Sequence, residues 1–465
     1  MNWRAIFSDI RFWICIGFAL RLITIDAPIF DSHNWRQADG YAVARNFLEE
    51  GSNIFKRRVD NRGGGTGITP SEFPLINYIT YLFYLVTGVQ WWPGRLINLT
   101  VTSLGIFSFH QIIKARWSKR LALYSSVILL FSIWFSFGRK FMPDTFSASI
   151  LLTGIGLQVN YLKKQKPATL VLSVILISIG LLTKITSFPL LSFSAFFLLD
   201  QKEPIRLKKN IFIGLVIAII PVVLWYFYWN PKVANLYAYG QILIQTDIMA
   251  QMDSLFLHSG RVLKRFYQDA FYYIGFLFFI LGVFISIKEK KSLFKTLLIV
   301  STSVVYVLFA GFKFAEHTYY IIPLVPFMAL GAAYGLTSLN SSRVSIFILC
   351  LIVTESFSNQ VSDVYLAKPK SEFLTLEKFV DKHLSPETLV ATNSGMNTNM
   401  LYFSHRKGWA LNNSDFGNEQ YMRIIGEDSC EYILWYKKNG TLDEIQPEFQ
   451  VISENENFYV LRLVN

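Results

Sequence analysis

The stretch that decides the fold is KEPIRLKK (202–209) running directly into NIFIGLVIAIIPVVLWYFY (210–228). A basic run gives way to a long apolar run with no charged residue, and only a bilayer offers such a run a solvent it prefers. The alternation recurs along the chain. Apolar segments fall at 95–113, 121–137, 145–161, 168–182, 185–199, 269–287, 296–312, 320–337 and 344–358, after a first one from Phe12 to Ile25. Further basic runs lie between them, at Lys114–Arg116 with Lys119–Arg120, at Lys163–Lys166 and at Lys288–Lys291.

Loops rich in Lys and Arg stay on the cytoplasmic side, so each must be an even number of crossings from the next. The segment 168–200 then holds two short spans that turn near Lys184. The apolar segment 74–88 (PLINYITYLFYLVTG) is short and carries Asn77, Tyr78, Tyr81 and Tyr84. Counting it as a crossing would put Lys114–Arg120 outside, so it is expected to lie in the interface, where tyrosines are comfortable. The fold class expected is a polytopic α-helical membrane protein of about eleven spans. Its N-terminus is cytoplasmic, and its outer loops fall at 26–94, 138–144, around 183–187, 229–268 and 313–319. No repeat of 20–50 residues and no inverted symmetry between halves is visible.

Composition agrees. Of 465 residues, 52% are hydrophobic, 16% aromatic (41 Phe) and only 16% charged, against about 25% charged in soluble domains. Disordered, fibrous and ordinary cytosolic proteins are excluded. The net charge is +12, but its basic residues are spread through loops rather than gathered on one soluble face, so no nucleic-acid partner is expected. Cys15, Cys350 and Cys430 have neither disulfide nor zinc spacing. The first apolar run lacks a small-residue cleavage site and reads as a first span.

Two domains follow from this: a membrane domain, 1–358, with its long outer loop, and a small extracytoplasmic α/β domain, 359–465. In the latter, helices are expected at 371–383, 396–403 and 419–426. Strands are expected at 388–393, 409–412, 432–436, 449–452 and 458–463.

The chemistry concentrates in the outer loops. A loop of about seventy residues exceeds ordinary connections and is usually functional. It contains Asp31, His33, Arg36 and Asp39, followed by helical spacing of Tyr41, Ala44, Phe47 and Leu48. That pattern places Asp39 at a helix N-terminus, where the dipole keeps a carboxylate ionised; an N-cap role is the plain alternative. Lys56, Arg57, Arg58 and Arg62 are cations suited to gripping a phosphate or, alternatively, anionic lipid. The glycines at 63–67 follow no strand and form no nucleotide-binding loop. Arg139, Lys140 and Asp144 mark the next outer turn, where snorkelling anchors are the alternative. Lys184 lies in the short hairpin, and Lys313, Glu316 and His317 in the last outer loop. The implied reaction is a single displacement, with inversion, at the anomeric carbon of a sugar carried by an isoprenoid lipid phosphate. The acid takes a proton from the acceptor and the cations stabilise the departing phosphate.

At the level of motifs, the chain resembles the integral-membrane glycosyltransferases of the C superfamily. The likeness is to the bacterial branch related to protein O-mannosyltransferases and the lipid A aminoarabinose transferase. It rests on the acidic first loop, Glu72-Phe-Pro-Leu-Ile-Asn-Tyr, Trp92-Pro-Gly-Arg95, Pro143-Asp144, Gly180-Leu-Leu-Thr-Lys184 and His317-Thr-Tyr-Tyr320-Ile-Ile-Pro323. It implies a polyprenyl-phosphate sugar donor, a lipid, glycan or protein acceptor, and a place in the cell (inner) membrane.

It also implies a catalytic carboxylate in the first loop. Where many members have an Asp-Glu pair, Arg36 and Gln37 stand here, so the role passes to Asp39, with Asp31 as fallback and Asp144 as the second acid. Glu72 replaces a basic residue common in relatives. That shifts the expected phosphate contacts to Lys56, Arg57, Arg58, Arg62 and Lys184. Some members hold a divalent metal between two outer-loop acids. Magnesium or manganese at Asp39 and Asp144 would then need further oxygens. Two other readings stay open: a transporter or flippase of a lipid-linked saccharide, and a membrane scaffold. The gathering of ionisable groups at one boundary, rather than at the midplane, favours the enzyme.

Overall fold

The structure, a computed structural model, describes residues 6–237, 247–368, 370–445 and 448–464, without the side chains of 290–292 and 294. The expected outer stretch 229–268 and the basic run Lys288–Lys291 therefore lie partly outside the described residues. The chain forms two compact units. One joins Met1–Ile25, Trp92–Tyr228 and Ile242–Leu366; the other joins Asp26–Trp91, Trp229–Gln241 and Ala367–Asn465.

The first unit is helical, and local chemistry sets its element ends. Asp9 caps Ile10–Leu22, Ser118 caps Lys119–Phe131 and Ser341 caps Ser342–Tyr365, each accepting a first-turn N–H. Pro143 and Pro167 open the helices Pro143–Lys164 and Pro167–Thr183, where a missing N–H costs nothing. Lys163 and Lys164 close the former, favoured by the helix dipole.

Small residues let these helices approach. A Cβ on Gly105 would lie 2.4 Å from Ser149, and Ser147 Oγ donates to the Gly180 carbonyl at 2.7 Å, the packing that membrane helices use in place of a hydrophobic drive.

By length and apolarity, three described helices suffice to cross a membrane: Trp92–Arg116, Ile205–Tyr237 and Ser342–Tyr365. A bent pair, Ser259–Asp269 with Tyr272–Lys288, makes a fourth if taken as one span. Of the other expected spans, Pro143–Lys164 has the length, at 22 residues, but not the apolarity, and several of the rest are shorter or broken. Segment 121–137 divides at Ser132 into Lys119–Phe131 and Trp134–Phe137, and 185–199 begins as the 3-10 turn Ile185–Leu191.

The second unit holds a five-stranded sheet of β1 (Leu389–Thr392), β2 (Lys407–Ala410), β3 (Tyr432–Tyr436), β4 (Phe449–Glu454) and β5 (Phe458–Leu463), in the order β2-β1-β3-β5-β4. The first three are parallel, and β5 is antiparallel to both β3 and β4. Strand placement matches expectation closely, except that β2 begins two residues before Trp409. The helix preceding the domain also runs to Tyr365, past the expected boundary after Ser358.

The first loop packs with this sheet. Its segment at 60–63 lies along the β2 edge, with Asn61 bridged in parallel to Gly408. Arg62 and Gly63 N–H both donate to the Gly408 carbonyl at 2.9 Å, and Gly408 N–H donates to Asp60 at 3.0 Å. Gly408 has φ +142, and a Cβ there would meet the Val390 carbonyl at 2.1 Å, so only glycine fits. The same unit carries two loop helices, Asn34–Glu49 and Leu75–Thr87; the latter realises the short apolar segment.

Candidate active site

In the helical unit, Asp144 is the second residue of its helix, where a negative charge suits the dipole, and it is buried. Its Oδ1 lies 2.8 Å from Lys184 Nζ. Its Oδ2 is buried with no hydrogen-bond partner among the described residues. Lys184 follows the last residue of Pro167–Thr183 in extended conformation, so the helix end aims it sideways. Its ammonium lies over the rings of Tyr319 (4.9 Å) and Tyr320 (5.9 Å). His317 stacks on both tyrosines, with centroids 5.1 and 6.2 Å away, and Tyr306 Oη donates to the Tyr320 carbonyl at 2.7 Å. Four expected residues, Asp144, Lys184, His317 and Tyr320, are thus brought together. Tyr319 was missed, although it sits inside the motif that carried Tyr320.

Lys313 is exposed and makes no ion pair among the described residues. Arg139 and Lys140 are buried rather than snorkelling. Arg139 Nη1 donates to Thr24 Oγ1 at 2.9 Å, and Lys140 pairs with Asp363 at 2.8 Å. Sequence reading missed Asp363, which it had assigned to the soluble domain. It also missed Arg21, fully buried with its guanidinium 5.3 Å above the Phe135 ring.

In the second unit, Asp39 is not at a helix N-terminus. The helix Asn34–Glu49 starts five residues earlier, because the polar run before Asp39 is already helical although it shows no apolar period. Asp39 Oδ1 accepts from Thr398 Oγ1 at 2.6 Å. Burial pushes its carboxyl upward, opposed by that hydrogen bond and by the charges of Arg36 and Arg57. The expected dipole-held carboxylate is replaced by one whose proton affinity is raised. Asp31 is buried and accepts a hydrogen bond from the Gln37 side chain. His33 occupies the N-cap in the left-handed region (φ 58°) without a capping bond from its side chain.

The basic residues of this loop divide. Arg36 bonds to Glu72, and Arg57 lies 3.7 Å from the same carboxylate. Arg58 and Arg62 pair with Glu50 at 3.6 and 2.9 Å. Lys56 makes no ion pair among the described residues. Arg57, Arg58 and Arg62, expected at a phosphate, each lie beside a carboxylate of their own loop.

A further network escaped sequence reading. Arg45 pairs with Asp60 at 2.8 Å, both nearly inaccessible, and its guanidinium lies 5.0 Å from the Tyr402 ring. His405 bridges Glu377 (2.8 Å) and Glu49 (2.9 Å), which push its imidazole up to about 9.

Among the described residues no group of three or more His, Cys, Asp or Glu could hold a metal ion. Asp144 already has a lysine ammonium on one oxygen, so as arranged it does not fit a divalent cation.

The dolichyl-phosphate-mannose-protein mannosyltransferase family model matches residues 70–229. Among curated proteins, none matches. The fold is similar to that of ArnT from Cupriavidus metallidurans in the apo state, at a TM-score of 0.63 and 11% identity over 98% of both chains. ArnT from the same organism bound to undecaprenyl phosphate aligns at 0.58 and 11% identity, over 97% of this chain and 98% of that one. The apo oligosaccharyltransferase of Archaeoglobus fulgidus aligns at 0.58 and 12% identity, over 91% of this chain and 70% of that one. The resemblance to the membrane glycosyltransferases of the C superfamily, first drawn from the order of motifs, holds for the fold along nearly the whole chain.

Proposed function

We propose that this chain transfers a sugar from a polyprenyl-phosphate carrier to an acceptor on the outer face of the cell membrane, by inverting single displacement. The observation that carries the reading is the buried Asp144–Lys184 pair beneath Tyr319, Tyr320 and His317, in a chain with this fold. An ammonium has three N–H donors to divide among anions. Support for a lipid carrier comes from the family match and from the undecaprenyl phosphate bound by ArnT.

In this mechanism Asp39 takes the proton of the attacking hydroxyl or amine, and its raised proton affinity suits a general base. The acceptor oxygen or nitrogen bonds to the anomeric carbon as the carbon–oxygen bond to phosphate breaks. The phosphate leaves with the electron pair and meets Lys184. The products are the glycosylated acceptor, the polyprenyl phosphate and a protonated Asp39. Asp31 is the alternative base. The chain spans the inner membrane about eleven times with its N-terminus cytoplasmic, and 359–465 forms an extracytoplasmic domain.

The test is mass spectrometry of membrane lipids and surface glycans from cells carrying the active chain or Asp39→Asn. The expected result is loss of one hexose, pentose or amino-sugar increment in the variant. An unchanged glycan and lipid profile sinks the proposal. A reporter fused after Arg120 should read as cytoplasmic.

A further inference from the structure

Thr398 stands at the N-cap of the helix Asn399–Ser404, yet its side chain accepts no bond from that helix. The nearby Asn399 N–H is taken instead by Asn397 Oδ1 at 3.0 Å. Threonine at such a position normally contributes to helix stability by capping; here its hydroxyl bonds outside the helix instead. That hydroxyl lies 2.6 Å from Asp39 Oδ1 and 3.4 Å from the Trp35 carbonyl. It has one proton, and the shorter bond, to a carboxylate, is the stronger. Trp35 and Asp39 are four residues apart, on the same helical face, so Thr398 contacts both at once. Asp39 Oδ2, by contrast, accepts no hydrogen bond among the described residues.

We infer that Thr398 is a positioning residue. It pins one oxygen of Asp39 so that the other is turned to the acceptor's proton, and the C-terminal segment thereby takes part in the transfer. The inference rests on the reading of Asp39 as base and gives the α/β domain a task in the reaction. The charged groups acting on Asp39 are Arg36 and Arg57, which favour its ionised form, and Asp60, which opposes it. Thr398 adds a neutral donor that stabilises the carboxylate without competing for the acceptor. Its removal should raise the proton affinity of Asp39 and loosen its rotamer.

The experiment uses the full chain in detergent with undecaprenyl-phosphate-linked mannose as probe, comparing Thr398→Val, Thr398→Ser and Asp39→Asn. Valine keeps the shape and removes the hydroxyl; serine keeps the hydroxyl. Thr398→Val is expected to lower kcat for donor turnover about tenfold with KM for the donor unchanged. It should also move the acidic limb of the pH profile to higher pH, and Thr398→Ser should restore both. A second readout needs no turnover: the carboxyl stretch of Asp39, from infrared difference spectra against Asp39→Asn, should titrate at higher pH in Thr398→Val. Wild-type turnover and an unmoved Asp39 titration in Thr398→Val, with Asp39→Asn inactive, would overturn the positioning role alone. Full activity of Asp39→Asn would remove the base, and this inference with it.

Discussion

The two units treat their charges differently. In the loop-and-sheet unit, Arg57 shares Glu72 with Arg36, and Arg58 and Arg62 share Glu50. In the helical unit, Asp144 keeps a buried oxygen without a hydrogen bond while its lysine lies against two tyrosine rings. In the loop each of these arginines lies within 4 Å of a carboxylate, an arrangement that by itself supports the loop's shape. A buried pair left incomplete, at a large desolvation cost, points to something that binds. A run of Lys and Arg in a long loop is therefore a weaker sign of a phosphate site than one lysine enclosed by aromatics.

The largest effect should come from breaking the incomplete pair. Lys184→Met leaves Asp144 buried and uncompensated, and the folded state should lose about 3 kcal/mol or more, read as a lower midpoint of thermal unfolding in detergent. Adding Asp144→Asn should recover most of that stability while donor binding stays at least tenfold weaker. Recovery of binding as well would mean that the pair is only structural.

Next, Arg45→Met should cost about 3 kcal/mol by leaving the buried Asp60 charge, among the described residues, with only the neutral donor Asn46 Nδ2, at 2.9 Å. It should raise the protease sensitivity of the first loop, and a variant as resistant as the wild type would remove Arg45 from its supports.

A pH effect is expected from His405. Its folded value, about 9, lies above the ordinary 6.5, so its contribution is complete below pH 6.5 and is lost as pH rises through 9. The unfolding midpoint of the wild type should fall by a few degrees over that window. His405→Gln should abolish the dependence; an equal slope in both proteins would place its origin elsewhere.

The smallest effect sharpens the comparison from the loop side. Arg62→Ala should change stability by less than about 1 kcal/mol and leave donor affinity unchanged. A tenfold loss of affinity would return this arginine to the phosphate.

Much of this was legible in the sequence, and the exceptions have a common cause. Apolar segments announce themselves locally, as do strands such as Tyr432–Tyr436 and Phe458–Leu463, which fall where expected. Asp144, Lys184, His317 and Tyr320 were named because each lies in a short motif at a helix end. The start of the helix Asn34–Glu49 was misjudged because Asn34, Trp35, Arg36 and Gln37 offer no apolar period to read. The partners of Asp39, Arg45 and Lys140 are Thr398, Asp60 and Asp363, and no periodicity links residues so separated along a chain. Long-range polar pairing is chosen by the finished fold.

The segment at 60–63 has a consequence for biosynthesis. Asn61 accepts a hydrogen bond from Ala410, 349 positions later. At about 5–20 residues per second, the ribosome needs roughly 20–70 s to supply that partner. For that interval the nascent loop has no sheet edge to join, and its backbone groups at 60–63 are left to water or to other transient partners.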